Sequence, residues 1–256
     1  MRTLAGRVAV VTGASRGVGR GVAAGLGEAG ATVYLSGRTA EDLEAAAGEV
    51  TELGGHGVPV PCDHRNDEQV EALFRRVRGE QGRIDVLVNS AWGGYEHMVQ
   101  DGVFTWPNPF WEQPRWRWDA MFQAGVRAAY VASALAAADM VRARSGLIVH
   151  VSSRAARTHE GNAAYGTAKA ATDKLAADMA AELREHGVTA VSLYPGLVRT
   201  EAVLASGAFD LSDSESPRFV GRAVAAMAAD PHVLARSGQV VVTAELARAY
   251  GFTEVG

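Results

Sequence analysis

A tyrosine and a lysine spaced four residues apart carry the clearest chemistry in this sequence. The chain has 25 lysine and arginine residues, but only two, Lys169 and Lys174, are lysines. Lys169 ends the stretch YGTAK, which begins at Tyr165. Residues at i and i+4 share one face of a helix, and a nearby ammonium lowers the pKa of a phenol. The pair is therefore predicted to exchange protons near neutral pH; the alternative is an incidental pair on a solvated helix.

A glycine-rich turn near the amino terminus indicates an anion-binding site. The run VVTGASRGVGRG places glycines at 13, 17 and 19, after an apolar segment and before a helical pattern. Glycines at a strand-to-helix turn let a pyrophosphate approach the backbone N–H groups at the helix start. The alternative is a turn with no ligand, but the strand and helix around it favour a dinucleotide.

Short apolar segments alternate with longer helical patterns along the chain. Strands are predicted at residues 7–12, 32–36, 57–61, 84–89, 146–152, 188–194 and 238–243. Helices are predicted at residues 17–29, 40–53, 66–81, 115–142, 163–186 and 217–229. This alternation is typical of a parallel sheet covered on both faces. We predict an α/β fold in which residues 1–256 form one Rossmann-type domain, with a doubly wound parallel sheet of seven strands.

Two long connections interrupt the alternation. Residues 90–114 are rich in tryptophan and other aromatics, and residues 196–216 follow the stretch YPG. Both follow strands, so both are expected at the carboxyl edge of the sheet, where such folds bind ligands. Because long loops in compact domains are often functional, we interpret both as substrate loops.

Composition and charge argue against several classes of protein. The net charge is −4 and no polybasic segment is present, so a nucleic-acid partner is not expected. The one cysteine, Cys62, allows neither an intrachain disulfide nor a cysteine metal cluster, and fits a reducing cytosol. We find no signal peptide and no membrane-spanning apolar run, and His97, His150 and His159 lack metal spacing. The prediction is a cytoplasmic protein without a metal.

Several motifs together resemble the short-chain dehydrogenase/reductase (SDR) family, in its single-domain branch. They are TGASRGVG at residues 12–19, CD at 62–63, VLVNSA at 86–91, VSS at 151–153, YGTAK at 165–169 and YPGLVRTE at 194–201. The glycine spacing is Gly-x-x-x-Gly-x-Gly, which differs from that of two-domain dehydrogenases. The resemblance runs the full length of the chain.

The resemblance implies a nicotinamide dinucleotide and a set of residues that hold it. Asp63 would contact the adenine, and Asn89 would lie at the adenosine ribose. The implied cofactor-binding residues are Gly13, Ser15, Arg16, Gly17, Val18, Gly19, Arg38, Asp63, Asn89, Ser90, Ala91, Tyr165, Lys169, Pro195, Gly196, Val198 and Thr200. The family also implies a homodimer or homotetramer, assembled through residues 115–142 and 163–186.

The end of the second strand indicates which nicotinamide is preferred. An acid there usually holds the ribose hydroxyls of NAD, but this chain has Ser36, Gly37 and Arg38. Arg38 can pair with a 2′-phosphate, and Arg16 can add a second contact. The missing acid favours NADP(H) over NAD(H); the alternative is that both arginines are solvated surface residues.

The family's catalytic serine has two candidates, because residues 152 and 153 are both serine. Counting from Gly146, at the start of the strand, gives Ser153, whereas counting back from Tyr165 gives Ser152. We favour Ser153, because the strand is rigid and the loop after it can absorb a deletion. That hydroxyl would hydrogen-bond to the substrate oxygen.

Two positions depart from the family's pattern. Gly125 stands where the family often has an asparagine that holds a relay water, and Trp92 follows NSA in place of the usual glycine. Trp92, Trp111 and His159 are the predicted substrate-binding residues, although each could instead be structural or solvated. The aromatics favour a bulky apolar or ring-shaped ketone.

The motifs together predict an NADP(H)-dependent oxidoreductase that moves a hydride between nicotinamide and a small-molecule substrate, a carbonyl compound or secondary alcohol of the bulky kind named above. Ser153, Tyr165 and Lys169 would be its catalytic residues. The alternative is a non-catalytic NADP-binding sensor or scaffold, which Gly125 and Trp92 motivate. A serine hydrolase is disfavoured, because no Gly-x-Ser-x-Gly turn surrounds either serine.

Overall fold

Seven parallel strands form the central sheet, and helices cover its two faces. The computed structural model describes residues 3–95, 98–100 and 103–254. Its strands are β1 (Val8–Thr12), β2 (Thr32–Gly37), β3 (His56–Pro61), β4 (Val86–Asn89), β5 (Val99–Gln100), β6 (Val103–Phe104), β7 (Gly146–Val151), β8 (Val188–Tyr194) and β9 (Val240–Val242). Its helices are α1 (Gly17–Glu28), α2 (Ala40–Glu52), α3 (Asp67–Gln81), α4 (Arg115–Met121), α5 (Ala128–Ala143), α6 (Ala163–Leu183), α7 (Glu201–Ser206), α8 (Pro217–Ala229) and α9 (Thr243–Tyr250).

The strand order in the sheet is β3-β2-β1-β4-β7-β8-β9. All the neighbouring strands pair in parallel, which confirms the predicted doubly wound α/β fold. The chain moves outward in one direction from β1 and in the other from β4. The crevice between the carboxyl ends of these two strands is where folds of this type bind ligands.

Two clusters of buried apolar side chains, one on each face of the sheet, explain why the strand sequences are apolar without alternation. On one face, Val22 and Leu26 of α1 and Val220 of α8 pack against the sheet. On the other face, Phe74 of α3 and Ala136 of α5 do the same. Fully burying a large apolar side chain contributes about 1.5–3 kcal/mol, so both helix layers are held firmly to the sheet.

The segment predicted as one helix over 115–142 is helical from Arg115 to Ala143 but is not uniform. Residues Phe122–Arg127 form a π-helical stretch between α4 and α5, and such stretches are frequent at functional sites. The 29-residue helix is long and apolar enough to cross a membrane by length and composition alone. However, Ala132 and Ala136 are fully buried against the sheet, as in the core helix of a globular fold.

The two long connections contain short elements that the sequence did not predict. Strands β5 and β6 form an antiparallel hairpin within 90–114, and α7 lies within 196–216. A bridge between Val198 and Glu215 ties the ends of the second connection together. Helix α9, beyond the last strand, was also not predicted. Both loops are therefore partly ordered by their own backbone hydrogen bonds.

Candidate active site

The predicted cofactor residues converge at the carboxyl edge of the sheet. Apart from Tyr165 and Lys169, which lie on α6, they follow the carboxyl ends of five strands: β1, β2, β3, β4 and β8. Parallel strands bring these ends to one edge, although the residues are far apart in sequence. The edge is the crevice that the reversal of strand order creates.

The glycine turn is held tightly against the end of β4. The Thr12 hydroxyl oxygen accepts hydrogen bonds from the N–H groups of Ser90 and Ala91, at 3.1 and 3.0 Å. Gly13 has φ +66°, and a Cβ there would lie 2.7 Å from the Cα of Ala91. Only glycine allows this approach, which brings the backbone of the turn close to the residues that follow β4.

The first N–H of α1 already holds an anionic group. The backbone N–H of Gly17 donates to Oε2 of Glu201, at 2.9 Å. Glu201 begins α7, whose N-cap is Thr200. A helix amino terminus attracts negative charge through its free N–H groups and its dipole. The Glu201 carboxylate therefore shows that the amino terminus of α1 binds an anion. The glycine turn is suited in the same way to the pyrophosphate of a dinucleotide.

Removing the charge of Glu201 is expected to tighten the binding of a nicotinamide dinucleotide, for which NADPH is the probe. In Glu201→Gln the pyrophosphate no longer displaces a carboxylate from the α1 terminus, so the dissociation constant should fall about two- to fivefold. Titration of NADPH fluorescence measures this. Glu245→Gln is the matched control, because it removes an exposed acid from the first turn of α9. Equal or weaker binding by Glu201→Gln would refute the competition.

Three further residues that were predicted to bind the cofactor have well-defined surroundings. Asp63 accepts hydrogen bonds from the guanidinium of Arg65, which lower the pKa of Asp63 to about 2. Arg38 lies close enough to Asp63 to lower that pKa further. Asn89 is buried, and its Nδ2 donates to the Ser133 hydroxyl at 2.9 Å, so its side chain ties β4 to α5. Its role at the ribose stays a prediction.

Ser153 and Tyr165 are neighbours in the structure. The Ser153 hydroxyl lies close enough to the Tyr165 hydroxyl to act to lower the pKa of Tyr165. The N-cap of α6 positions the tyrosine, because Oδ1 of Asn162 accepts from the Tyr165 N–H at 3.0 Å. Ser152 is instead buried, and its hydroxyl donates to the carbonyl of Lys169 at 3.3 Å. Of the two serines, Ser153 is the one that faces the tyrosine.

The electrostatics of Tyr165 and Lys169 differ from the prediction. Burial raises the pKa of Tyr165, and this outweighs the hydrogen bonds from Ser153 and Tyr95. Burial also lowers the pKa of Lys169 to about 7. The ammonium of Lys169 lies 3.7 Å from the ring centroid of Trp92 but 5.7 Å from that of Tyr165. The expectation that Lys169 lowers the pKa of Tyr165 is therefore wrong, because the charge faces the indole.

Three aromatic side chains surround Tyr165 and form what we call the aromatic wall: Trp92, Tyr95 and Trp106. Their ring centroids lie 5.8, 6.3 and 5.2 Å from that of Tyr165. The Tyr95 hydroxyl donates to the Tyr165 hydroxyl at 3.5 Å. Asn162, beside Tyr165 in sequence, donates to the Trp106 carbonyl at 3.3 Å. The first long connection thus covers the tyrosine with flat apolar surfaces.

The structure brings one of the three predicted substrate residues to Tyr165. Trp92 belongs to the aromatic wall. Trp111 is 72% exposed and stacks edge-on against Phe110, at 5.3 Å, and His159 is exposed in the loop before α6. Trp106 therefore takes the place expected of Trp111. His97 lies outside the described residues.

A comparison with known families agrees with this geometry. A family model described as short chain dehydrogenase matches residues 7–209. The chain belongs to the short-chain dehydrogenase/reductase family. The matched region runs from β1 beyond α7, so it includes the glycine turn, the strand ends and the Tyr165–Lys169 pair. SDR proteins are oxidoreductases that use NAD or NADP, so the resemblance seen in the sequence is confirmed.

Individual SDR proteins resemble the chain over nearly all of its length. Dehydrogenase/reductase SDR family member 1 of Mus musculus is 46% identical over 265 residues, covering 98% of this chain and 83% of the relative. A metagenomic short-chain oxidoreductase, solved in complex with NADP, is 30% identical with a TM-score of 0.76, covering 94% of this chain and 97% of that one.

A third SDR protein was solved with two small molecules bound. It is 7α-hydroxysteroid dehydrogenase complexed with NADH and 7-oxo glycochenodeoxycholic acid, and it is 26% identical with a TM-score of 0.81, covering 93% of each chain. One of these structures holds NADP and the other NADH. The choice between the two cofactors therefore depends on this chain's own residues.

Three residues at this SDR site were not predicted to act there: Tyr95, Trp106 and Glu201. Tyr95 and Trp106 were visible only as members of an aromatic-rich loop, and no spacing in the sequence aligns them with Tyr165. Glu201 ends the motif YPGLVRTE, but its contact with Gly17 spans 184 residues. An acid directly after the N-cap Thr200 was the one local signal, since acids are favoured in a first helical turn.

Proposed function

We propose that this SDR protein is an NADP(H)-dependent carbonyl reductase or secondary-alcohol dehydrogenase for bulky apolar or ring-shaped ketones. The observation that carries the proposal is the position of Tyr165, which lies against the aromatic wall, on the same helix as Lys169 and near the Ser153 hydroxyl. The residues of the dinucleotide site converge at the same edge of the sheet.

The chain's own residues handle the oxygen and its proton. Bound nicotinamide supplies the hydride in reduction and accepts it in oxidation. As the hydride reaches the carbonyl carbon, the electron pair of the C=O π bond moves to oxygen. That oxygen takes the hydroxyl proton of Tyr165, while the Ser153 hydroxyl hydrogen-bonds to it. The Tyr95 hydroxyl donates to that of Tyr165 at 3.5 Å and orients it, and Tyr165 regains its proton from solvent after the product leaves.

Arg38 supports the assignment of NADP rather than NAD. It follows β2 directly, at the position where an acid would hold the ribose hydroxyls of NAD. A guanidinium pairs with a phosphate through charge-assisted hydrogen bonds and keeps its charge at every physiological pH. Arg16, at the N-cap of α1, has no side-chain capping bond and provides a second positive group beside the same turn.

Reversing the charge at Arg38 is expected to reverse the cofactor preference. Arg38→Glu should weaken NADPH binding roughly 10- to 100-fold, because charge-assisted hydrogen bonds are worth about 1.5–3 kcal/mol. NADH binding should be unchanged or improved, since the new carboxylate can accept from the ribose hydroxyls. Fluorescence titration with both cofactors measures the ratio. Arg248→Glu, an exposed change on α9, is the control of equal charge, and an unchanged ratio in Arg38→Glu would contradict the assignment.

The aromatic wall supports a bulky ring-shaped substrate. Flat rings offer large apolar areas that favour stacking against other rings. The related 7α-hydroxysteroid dehydrogenase was solved with a 7-oxo bile acid, a ring-fused ketone. NADPH consumption, measured on ketones from acetone to ring-fused diketones, tests the proposal. The specificity constant should rise with ring area, and a preference for small aldehydes would contradict it.

The second candidate function is a non-catalytic NADP-binding sensor or scaffold. The position of the Lys169 ammonium over Trp92, rather than beside the Tyr165 phenol, favours it. NADPH binding without consumption of any carbonyl in the panel would support this candidate over the reductase.

We also propose that the protein is a cytoplasmic homodimer or homotetramer. Exposed aromatic groups on the α4–α5 surface support the assembly: Trp118 stacks on Phe122 at 4.3 Å, and Tyr130 is 58% exposed. Sedimentation equilibrium reports the number of subunits, and a monomer at micromolar concentration would contradict this part of the proposal.

A further inference from the structure

The ammonium of Lys169 occupies an unusual environment. The side chain is 5% exposed, and Nζ donates to the carbonyl oxygen of Val151 at 3.1 Å. Nζ also lies 3.7 Å from the centre of the Trp92 ring, on its face. An ammonium has three N–H donors and is costly to bury without partners. A tryptophan face is the best aromatic partner for a desolvated cation. The indole of Trp92 therefore stabilises the ammonium charge that burial otherwise disfavours.

The Trp92 ring can lie there only because residue 125 has no side chain. A Cβ added to Gly125 would lie 2.6 Å from both Cε3 and Cζ3 of the indole, closer than real Cβ atoms approach their neighbours. Gly125 lies in the π-helical stretch between α4 and α5. The ring has little freedom to retreat, because it packs edge-on against Tyr165 and 6.0 Å from Tyr95.

We propose that Trp92 is the positioning residue for Lys169 and that Gly125 is its steric requirement, so that positions 92 and 125 act as one size-coupled pair. Trp92 follows Ala91, which packs on the glycine turn. The indole therefore links the cofactor edge of the sheet to both Lys169 and Tyr165. The catalytic consequence rests on the proposed function, whereas the packing can be tested without turnover.

The scarcity of lysine makes the contact directly measurable. Protein labelled with ¹³C at lysine Cε gives one methylene signal for each of its two lysines, read in the absence of cofactor. Lys174 is exposed and paired with Asp178, so it serves as the internal reference. The Lys169 methylene protons should be shifted upfield by the ring current of the indole. Coincident Lys169 and Lys174 signals would overturn the proposal.

Three variants separate the pair from a general packing effect. Trp92→Leu and Gly125→Ala should both abolish the upfield shift, the first by removing the ring and the second by displacing it. Trp92→Phe should retain part of it, because a smaller face remains. Gly79→Ala is the matched control, since it adds the same methyl to a helical glycine with open space around it, and it should leave the signal unchanged. A full shift in Trp92→Leu would overturn the proposal.

Kinetics then test whether this position matters for catalysis. In the presence of Trp92, Gly125→Ala should lower kcat roughly 10- to 100-fold with little change in KM for the ketone. In the Trp92→Leu background the same change should cost less than about twofold, because no ring remains to displace. Additive effects would overturn the size coupling.

The two experiments distinguish failure of this inference from failure of the proposed function. A wild-type protein with a shifted Lys169 signal but no ketone reduction would refute the function and retain the packing. An active protein without the shift would refute the inference alone.

Discussion

Replacement of Tyr165 by phenylalanine should lower turnover by about 10²- to 10⁴-fold, the range that one proton-transfer group contributes. The variant keeps the ring, and therefore the contacts with Trp92, Tyr95 and Trp106. It loses only the hydroxyl that lies near Ser153 and accepts from Tyr95. NADPH affinity, measured by fluorescence, should stay nearly unchanged.

Tyr130→Phe is the control for this experiment. It removes the same hydroxyl from an exposed side chain on α5, so turnover should equal that of the wild type. If Tyr165→Phe turned over ketones as fast as Tyr130→Phe, the proton-transfer role of Tyr165 would be wrong.

Replacement of Lys169 by arginine should lower turnover about 10²-fold although the positive charge is retained. The ammonium lies between the indole of Trp92 and the carbonyl of Val151, and a planar guanidinium is larger than an ammonium. Arginine also lacks the compact, rotatable head of lysine. Displacement of a positioned group by about 1 Å can cost this much in rate. NADPH binding should weaken as well, because Lys169 is one of the predicted cofactor-binding residues.

The second lysine provides a matched comparison on the same helix. Lys174→Arg changes an exposed side chain that pairs with Asp178, four residues further along α6. The free energy of unfolding of this variant should therefore differ from that of the wild type by no more than about 0.5 kcal/mol. Steady-state kinetics of both variants give the comparison. If Lys169→Arg kept the kcat and KM of the wild type, a positive charge of either shape would suffice at position 169. That result would contradict the argument that the compact ammonium is required.

The central sheet and the helices that cover it were predictable because each of these elements carried its own local signal. Segments such as Val8–Thr12 and Val188–Tyr194 are apolar without alternation, which is what burial on both faces of a parallel sheet requires. Asn66 was predicted to begin a helix, and it caps α3 by accepting from the N–H of Gln69 at 3.3 Å. Parallel pairing then brings the strand ends, and the predicted cofactor residues, to one edge.

The surroundings of Tyr165 were not predictable in the same way. The i, i+4 spacing correctly placed Lys169 and Tyr165 on one helix. It could not reveal that the ammonium turns to Trp92, which is 77 positions earlier in the sequence and reaches it only through tertiary packing. Trp106 and Trp111 looked equivalent in the sequence, yet Trp106 is held by Asn162 and Trp111 faces solvent. Such contacts depend on how a loop folds, and that loop has no periodic pattern to read.

The most direct test of the account follows the hydride itself. NADPH carrying deuterium on the transferable C4 position would be incubated with the ring-fused ketone that wild type consumes fastest, and the alcohol product analysed by mass spectrometry. We predict one deuterium on the carbinol carbon for each NADPH oxidised, and no labelled alcohol with Tyr165→Phe beyond its residual rate. NADPH oxidation that left the product unlabelled, or NADPH binding with no ketone reduced, would contradict direct hydride transfer at this site.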